Sequence, residues 1–254
     1  MQVKVLGCSG GIGGNVRTTA LLVDDDVLID AGTGVGDLSL EALLKIDHIF
    51  VTHTHIDHIG FIPLLLDTVM GLRMQPVTVH ATHEVITILK QHIFNWLIWP
   101  NFNQIPDPVN PFLIYNEIKI GQSLQINHKT ITALPATHVV PAVGYQINSS
   151  AHSLVFTGDT AGGEDFWRAV NNIKNLKYLI IETAFSNAEA HLAKLSKHLC
   201  PATLAQELTH LVAQPLVYIT HLKPGEDVTI MQEIAANPST QHCLALCNNQ
   251  IMEL

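Results

Sequence analysis

The sequence predicts an α/β protein in which two β-sheets pack together with helices outside. Short apolar strands alternate with helical stretches, and this rhythm of strands then helices is run through twice along the 254 residues. The composition is 47% apolar and 14% charged, which suits a large covered core and argues against disorder. Four apolar strands end alike, in threonine followed at once or one residue later by histidine or aspartate. There is no Ser- or Gly-rich linker and no shift of composition, so residues 1–254 read as one domain.

Residues 2–7 read as a strand that runs into the glycine-rich turn Cys8–Asn15. Residues 19–24 and 27–30 read as strands around the hairpin tip Asp24-Asp25-Asp26. A helix over 39–45 precedes a buried strand over 48–52, and a second helix runs from near Ile59 to near Gly71. A strand over 76–80 leads to a helix from Thr82 to about Phe94. Asn95–Pro111 holds four prolines and two of the three tryptophans and reads as an irregular connection, the kind of long loop that tends to carry function. Residues 112–157 read as a run of strands. Strands near 177–182 and 215–220 then alternate with helices near 164–173, 202–212 and 228–236.

Charge argues against one class of partner, although a local basic patch could still form in space. The net charge is -9 with only 13 Lys and Arg, and no basic run exists. A protein that grips long nucleic acid needs a dense basic stripe to displace counterions. Cys8, Cys200, Cys243 and Cys247 form no C-x-x-C pair and read as buried free thiols. The chain opens on a strand rather than a cleavable leader, and no run is long and apolar enough to span a bilayer, so a cytoplasmic location is expected.

The strongest chemical signal is Thr52-His53-Thr54-His55-Ile56-Asp57-His58-Ile59-Gly60, directly after His48-Ile49-Phe50-Val51. Imidazole and carboxylate are the ligands of zinc, manganese and iron. Four of them within six positions strain around one ion but suit two, with His53 and His55 toward one and Asp57 and His58 toward the other. The other like strand ends supply His138 after Thr137, Asp159 after Thr157-Gly158, and His221 after Thr220. Sites in α/β proteins collect at the carboxyl ends of strands, and the threonine hydroxyls are candidates to orient the rings.

H-x-H-x-D-H, a lone His, G-D-T and a late His, in this order over nearly the whole chain, resemble the metallo-β-lactamase superfamily. The resemblance implies the αββα four-layer sandwich. It also implies His53, His55 and His138 on one metal, Asp57, His58 and His221 on the second, and Asp159 between them. Within that superfamily, His92–Phe102, Glu182-Thr183-Ala184-Phe185-Ser186-Asn187, Ser196-Lys197-His198-Leu199-Cys200-Pro201 and Lys223-Pro224 after His221 resemble class II cyclic-nucleotide phosphodiesterases. Ile56 stands where that family's core motif has leucine.

The function so implied is hydrolysis of 3′,5′-cyclic nucleotides to 5′-monophosphates with two divalent ions, zinc first and manganese or iron as alternatives. Paired metals acidify a water and stabilise charge on phosphoryl oxygens. Asp57 then counts as a catalytic residue as well as a ligand. The leaving 3′-oxygen needs a proton, for which His198, oriented by Glu182, is the candidate. The aromatic stretch offers Phe94, Asn95, Trp99 and Phe102, with Trp96, as a slot for the base, against the alternative that they fill core or a dimer interface. The glycines at 10–14 precede no helix and read as a tight turn near the site; Arg17 is either a contact for an anionic substrate or a solvated side chain. The expected partner is a small cyclic nucleotide, with no long nucleic acid, no membrane and a homodimer as an option. The rivals are a tRNA 3′-processing endonuclease of the same superfamily, which would share Glu182 and His198, and a non-catalytic metal- or ligand-binding module.

Overall fold

The computed structural model describes residues 1–254. The first half of the chain supplies strands β1 (Gln2–Gly7), β2 (Ala20–Val23), β3 (Val27–Ile29), β4 (His48–Phe50), β5 (Val77–Ala81) and β6 (Leu113–Glu117). Helices α1 (Leu40–Leu43), α2 (Ile56–Ile59), α3 (Ile62–Val69) and α4 (His83–Ile88) lie between them. The second half supplies β7 (Ser123–Ile126), β8 (Lys129–Pro135), β9 (Val143–Asn148), β10 (Ser153–Phe156), β11 (Leu176–Glu182), β12 (Leu216–Thr220), β13 (Leu244–Ala245) and β14 (Ile251–Glu253). Its helices are α5 (Glu164–Asn171), α6 (Ala190–Ser196), α7 (Pro201–Leu208) and α8 (Asp227–Ala236).

The strands form two seven-stranded sheets, ordered β14-β1-β2-β3-β4-β5-β6 and β13-β12-β11-β10-β9-β8-β7. Each is antiparallel through its hairpins and parallel where helices intervene, as helical crossovers require. Alternation along the strands then sorts the apolar residues into three layers. Leu21, Val23, Phe50, Tyr145 and Phe156 fill the space between the sheets. Leu22, Ile49 and Val79 point the other way, against Ile62, Leu66 and Val85 of α3 and α4. Val155, Leu179 and Ile219 pack outward on Phe166, Leu204 and Ile230 of α5, α7 and α8. Two sheets with a helical layer on each outer face make the αββα sandwich.

Boundaries differ from expectation where local signals compete. The helix expected from Ile59 to Gly71 is two, α2 and α3, broken at Gly60-Phe61. The helix expected to Phe94 keeps α-geometry only to Ile88 and finishes as a π-turn over Leu89–Ile93. Residues 95–111 carry no helix or strand, as expected. Helix α6 and strand β14 were not anticipated: α6 buries only Ala193, so its sequence carries little amphipathic signal. β14 is three residues long and exists by pairing with β1. No helix is long and apolar enough to cross a membrane.

The sheets are tied at both ends. At one end Val143 N–H donates to Thr52 O at 3.0 Å and the buried Tyr145 hydroxyl donates to Val51 O at 2.9 Å, joining β9 to the end of β4. At the other, the buried Lys129 ammonium lies 3.1 Å from Asp24 and 2.7 Å from Asp26 of the β2–β3 hairpin.

Candidate metal centre

The carboxyl ends of β4, β8, β10 and β12 meet at the Thr52 end of the sandwich. There the H-x-H-x-D-H run changes conformation midway. His53 follows a bend at Thr52 beyond the strand, His55 occupies the N-cap of α2, and Asp57 and His58 lie on its single turn. Extended chain and helical turn thus aim the four side chains in different directions. The potential ligand atoms fall into groups within 4.8 Å: His53, His55, His138 and Asp159 in one, Asp57, His58 and His221 in another, and Asp159, His198 and His221 in a third that overlaps both.

Asp159 stands between these groups. Its carboxylate is 3.5 Å from His53 Nε2, 3.4 Å from His58 Nε2 and 3.4 Å from His221 Nδ1. Those three imidazole nitrogens are buried and have no hydrogen-bond partner. Buried polar atoms are ordinarily paired, so three orphaned lone pairs converging on a buried carboxylate are the donor set of a divalent metal. The cluster suits divalent metals on its own chemistry.

The far sides of the rings are held. Asp30 follows β3 with its side chain wholly buried. Its carboxylate accepts from Thr52 N–H and from the Thr52 hydroxyl, each at 2.8 Å, and from His58 Nδ1 at 2.7 Å. With its proton given to Asp30, the Thr52 oxygen accepts from His53 Nδ1 at 2.9 Å. One carboxylate therefore sets the tautomer of a ligand in each group, leaving both Nε2 lone pairs facing Asp159. His138 Nδ1 donates to Lys197 O at 3.2 Å, and the Lys197 ammonium returns to His138 O at 3.0 Å. Neither Asp30 nor Lys197 was anticipated as a support. Asp30 carried a signal, since Val27-Leu28-Ile29-Asp30 ends in a ligand type as the other site strands do.

Of the four strand-end threonines, only Thr52 hydrogen-bonds a ligand ring. The Thr157 hydroxyl donates to Gly158 O and that of Thr220 to Cys8 O, tying backbone instead. Close approach fixes two glycines. Gly158 has φ +59° and a Cβ there would lie 3.1 Å from Thr52 Cβ; at Gly10 it would lie 2.6 Å from His221 O. The glycine-rich turn accordingly packs against the site. Asp30 and His221 both hold left-handed backbone, at φ 57° and 63°, strain of the kind that surrounding structure imposes at functional sites.

The motifs at 182–187 and 196–201 pack on each other. Glu182, fully buried, accepts from His198 Nδ1 at 2.7 Å, Thr160 N–H at 2.9 Å and Leu199 N–H at 3.3 Å. The His198 ring stacks on His221 with centroids 5.3 Å apart and meets His138 at 4.9 Å. It therefore touches a ligand from each group. Burial disfavours the charged form of His198, but the hydrogen bond and charge of Glu182 outweigh it and lift its pKa above the ordinary value. Burial likewise raises Glu182, with the His198 contact opposing. Burial pushes His138 down to about 4 and His221 down to about 3, so both rings are neutral and able to bind metal. Asp159 lies well below the usual carboxylate range despite its burial, so it is ionised among the rings.

Two members of the expected base slot, Phe94 and Phe102, are corrected. Phe94 and Phe102 are 0% and 2% exposed in the layer between the first sheet and its helices, so neither presents a ring face to a ligand. Trp99 packs against the same layer. The Asn95 amide serves its own loop, donating to Gln91 O and accepting from Leu97 and Ile98 N–H. Trp96 is exposed. Core packing was the stated alternative, and for Phe94 and Phe102 it is what the structure shows. Arg17 pairs with Asp37 at 2.8 Å. His80, which fits no ligand pattern, is a satisfied core residue between His48 and Asn116.

Three comparisons with known proteins bear on the family and the fold. Over 213 residues, covering 72% of this chain and 60% of the relative, the sequence is 28% identical to a probable 3′,5′-cyclic-nucleotide phosphodiesterase of Yersinia pestis. It is 30% identical to a ribonuclease BN of Cronobacter sakazakii over 158 residues, covering 58% of this chain and 49% of the relative. The chain thus spans between about half and three-fifths of these relatives' lengths. Unliganded yeast PDE1 superposes with a TM-score of 0.81 at 18% identity, over 100% of this chain and 99% of that one, a likeness of fold. Residues 26–238 match the model of the β-lactamase superfamily domain, so the fold, the ligand order and the match together place the chain in the metallo-β-lactamase superfamily.

Proposed function

We propose that the protein is a metal-dependent phosphodiesterase that opens 3′,5′-cyclic nucleotides to 5′-monophosphates. The position of His198, aimed by a buried Glu182 and packed against a candidate ligand from each group, carries the reading of phosphodiester cleavage, and the likeness to a probable 3′,5′-cyclic-nucleotide phosphodiesterase over 72% of this chain supports the cyclic substrate. His53, His55 and His138 would hold one ion and Asp57, His58 and His221 the other, with Asp159 shared. When bound, two divalent ions, zinc foremost, would supply an acidified water and positive charge for the phosphoryl oxygens.

The chain's own residues do the rest. Asp30 and Thr52 keep Nδ1 of His58 and His53 protonated, so that each presents a lone pair. Asp57 is the carboxylate of the cluster that reaches solvent, its side chain 29% exposed, and so faces incoming substrate. Breaking the bond between phosphorus and the 3′-oxygen leaves an alkoxide. His198, with Nδ1 engaged by Glu182, gives that oxygen the proton on Nε2 and is afterwards recharged from solvent. The Lys223 ammonium, hydrogen-bonded to Gly10 O at 2.8 Å and 5.9 Å from the Phe185 ring, holds the loop beneath this residue.

Similarity to ribonuclease BN supports a second reading, cleavage of tRNA precursor at its 3′ end. The net charge of -9 and the lack of a basic run weigh against it. Incubating metal-loaded protein with cyclic nucleotides, a simple phosphodiester and tRNA precursor over a range of salt decides between them. The first reading expects turnover of a cyclic nucleotide with little salt dependence. Cleavage of tRNA that weakens steeply with salt, without cyclic-nucleotide turnover, overturns it.

A further inference from the structure

A cavity of about 540 Å³ opens beside the metal centre, with the ligand His138 and its support Lys197 on one wall. That volume is in the range of small-molecule sites. The segment Val139–Val143, after His138, supplies an apolar wall, joined by Ile120. Thr82 and Glu84, at the N-cap and first turn of α4, also line it. Glu84 is the one carboxylate on the cavity wall, and nothing in the proposed chemistry uses it.

We infer that this cavity receives the base of the nucleotide and that Glu84 selects guanine. The inference rests on the phosphodiesterase reading and replaces the aromatic slot that the core has absorbed. A base attached to a phosphate held at the metal centre needs a neighbouring space that is apolar on its walls and polar at its edge. This open cavity adjoins the centre through His138, with the aliphatic Val139–Val143 segment on its lining beside the polar Thr82, Glu84 and Lys197. An ionised carboxylate only accepts hydrogen bonds and has lone pairs for about four. The N–H of its own residue and the Thr82 hydroxyl hold Glu84 below its ordinary pKa, so it is ionised at neutral pH and keeps acceptor capacity to spare. Guanine offers adjacent N1–H and N2–H donors, which match the two carboxylate oxygens. Adenine offers one amino group beside the N1 lone pair, which a carboxylate repels.

The test compares kcat/KM of the metal-loaded full chain for cyclic GMP, cyclic AMP and methyl p-nitrophenyl phosphate, a diester without a base. The wild type is expected to prefer cyclic GMP about ten-fold, the size of effect a paired contact to a base edge gives. Glu84→Gln, at an exposed position, should erase most of that preference, because an amide offers one acceptor and one donor. Ala142→Trp should raise KM for both cyclic nucleotides about ten-fold, and both variants should leave the small diester within about two-fold. Equal turnover of the two nucleotides by wild type, or an unchanged preference in Glu84→Gln, overturns the inference. Failure to hydrolyse either nucleotide while the small diester is cleaved defeats the substrate reading instead. In that case equilibrium binding of GMP against AMP judges the cavity, and equal affinities overturn it.

Discussion

Asp30 Oδ2 lies 2.7 Å from Nδ1 of His58, and both side chains are wholly buried. The same carboxylate reaches His53 through the Thr52 hydroxyl. Replacing it should therefore disturb both halves of the centre at once. Asp30→Asn should weaken metal affinity about 10–100-fold, as measured by competition with a chelator. Excess metal should restore part of the lost activity. Unchanged affinity in a folded variant would show that Asp30 merely closes the β3–β4 end.

The orphaned nitrogens of His53, His58 and His221 call for metal. Elemental analysis of protein purified without chelator should find about two transition-metal ions per chain. Asp159→Ala should lose more than one, since its carboxylate faces both groups. Chelation should also lower Tm, because a ligand bound only to the folded state stabilises it by mass action. An active protein free of metal would end the proposal.

His198→Ala should keep its metal yet lose roughly 10²–10⁴-fold in turnover of a cyclic nucleotide. An activated aryl phosphodiester has a leaving group that needs little protonation and should lose far less. Equal losses on both substrates would make His198 a packing residue.

The far end of the sandwich offers a pH test away from the site. Burial opposes the ionisation of Asp24, but Gln2 N–H and Lys129 outweigh it and put its pKa below the ordinary 3.8. Burial likewise opposes charge on Lys129, but Asp26 and Asp24 raise its pKa above 10.5. A carboxylate with a lowered pKa stabilises fully above its unfolded value and loses that contribution as pH falls through the folded one. A lysine with a raised pKa stabilises fully below its unfolded value and loses it as pH rises through the folded one. Denaturant unfolding of Lys129→Met against wild type should thus show a deficit of roughly 1–3 kcal/mol on the plateau between these values. The deficit should shrink in acid below about pH 4 and in alkali above about pH 10.5. A difference constant across that range would assign the effect to packing of the lysine stem.

Phe94→Ala and Phe102→Ala should each cost about 3–5 kcal/mol of stability, the usual result of truncating a buried aromatic. At temperatures where the variants remain folded, cyclic nucleotides and a small diester should be affected alike. Selective loss of nucleotide binding in a stable variant would return these rings to the substrate.

The cluster of candidate ligands was legible in the sequence because the residue types that suit metals are written locally. Each lies one or a few residues past a short apolar strand, and four fall within His53–His58. The strand and helix rhythm likewise follows from local alternation, and with the ligand order it indicated four layers. What the tertiary structure decided was everything that depends on residues far apart in sequence. Asp30 reaches His58 across 28 positions, Glu182 reaches His198 across 16, and Lys197 reaches His138 across 59. Helix α6 and strand β14 carry too little periodic burial to announce themselves, and β14 exists through its partner β1. The aromatic stretch shows the limit most clearly. An apolar ring has the same reason to leave water whether a core or a nucleobase covers it, so Phe94 and Phe102 look alike in sequence under either fate. Only the tertiary packing, which places both rings in the core cluster shared by the first sheet and its helices, settles which surface buries them.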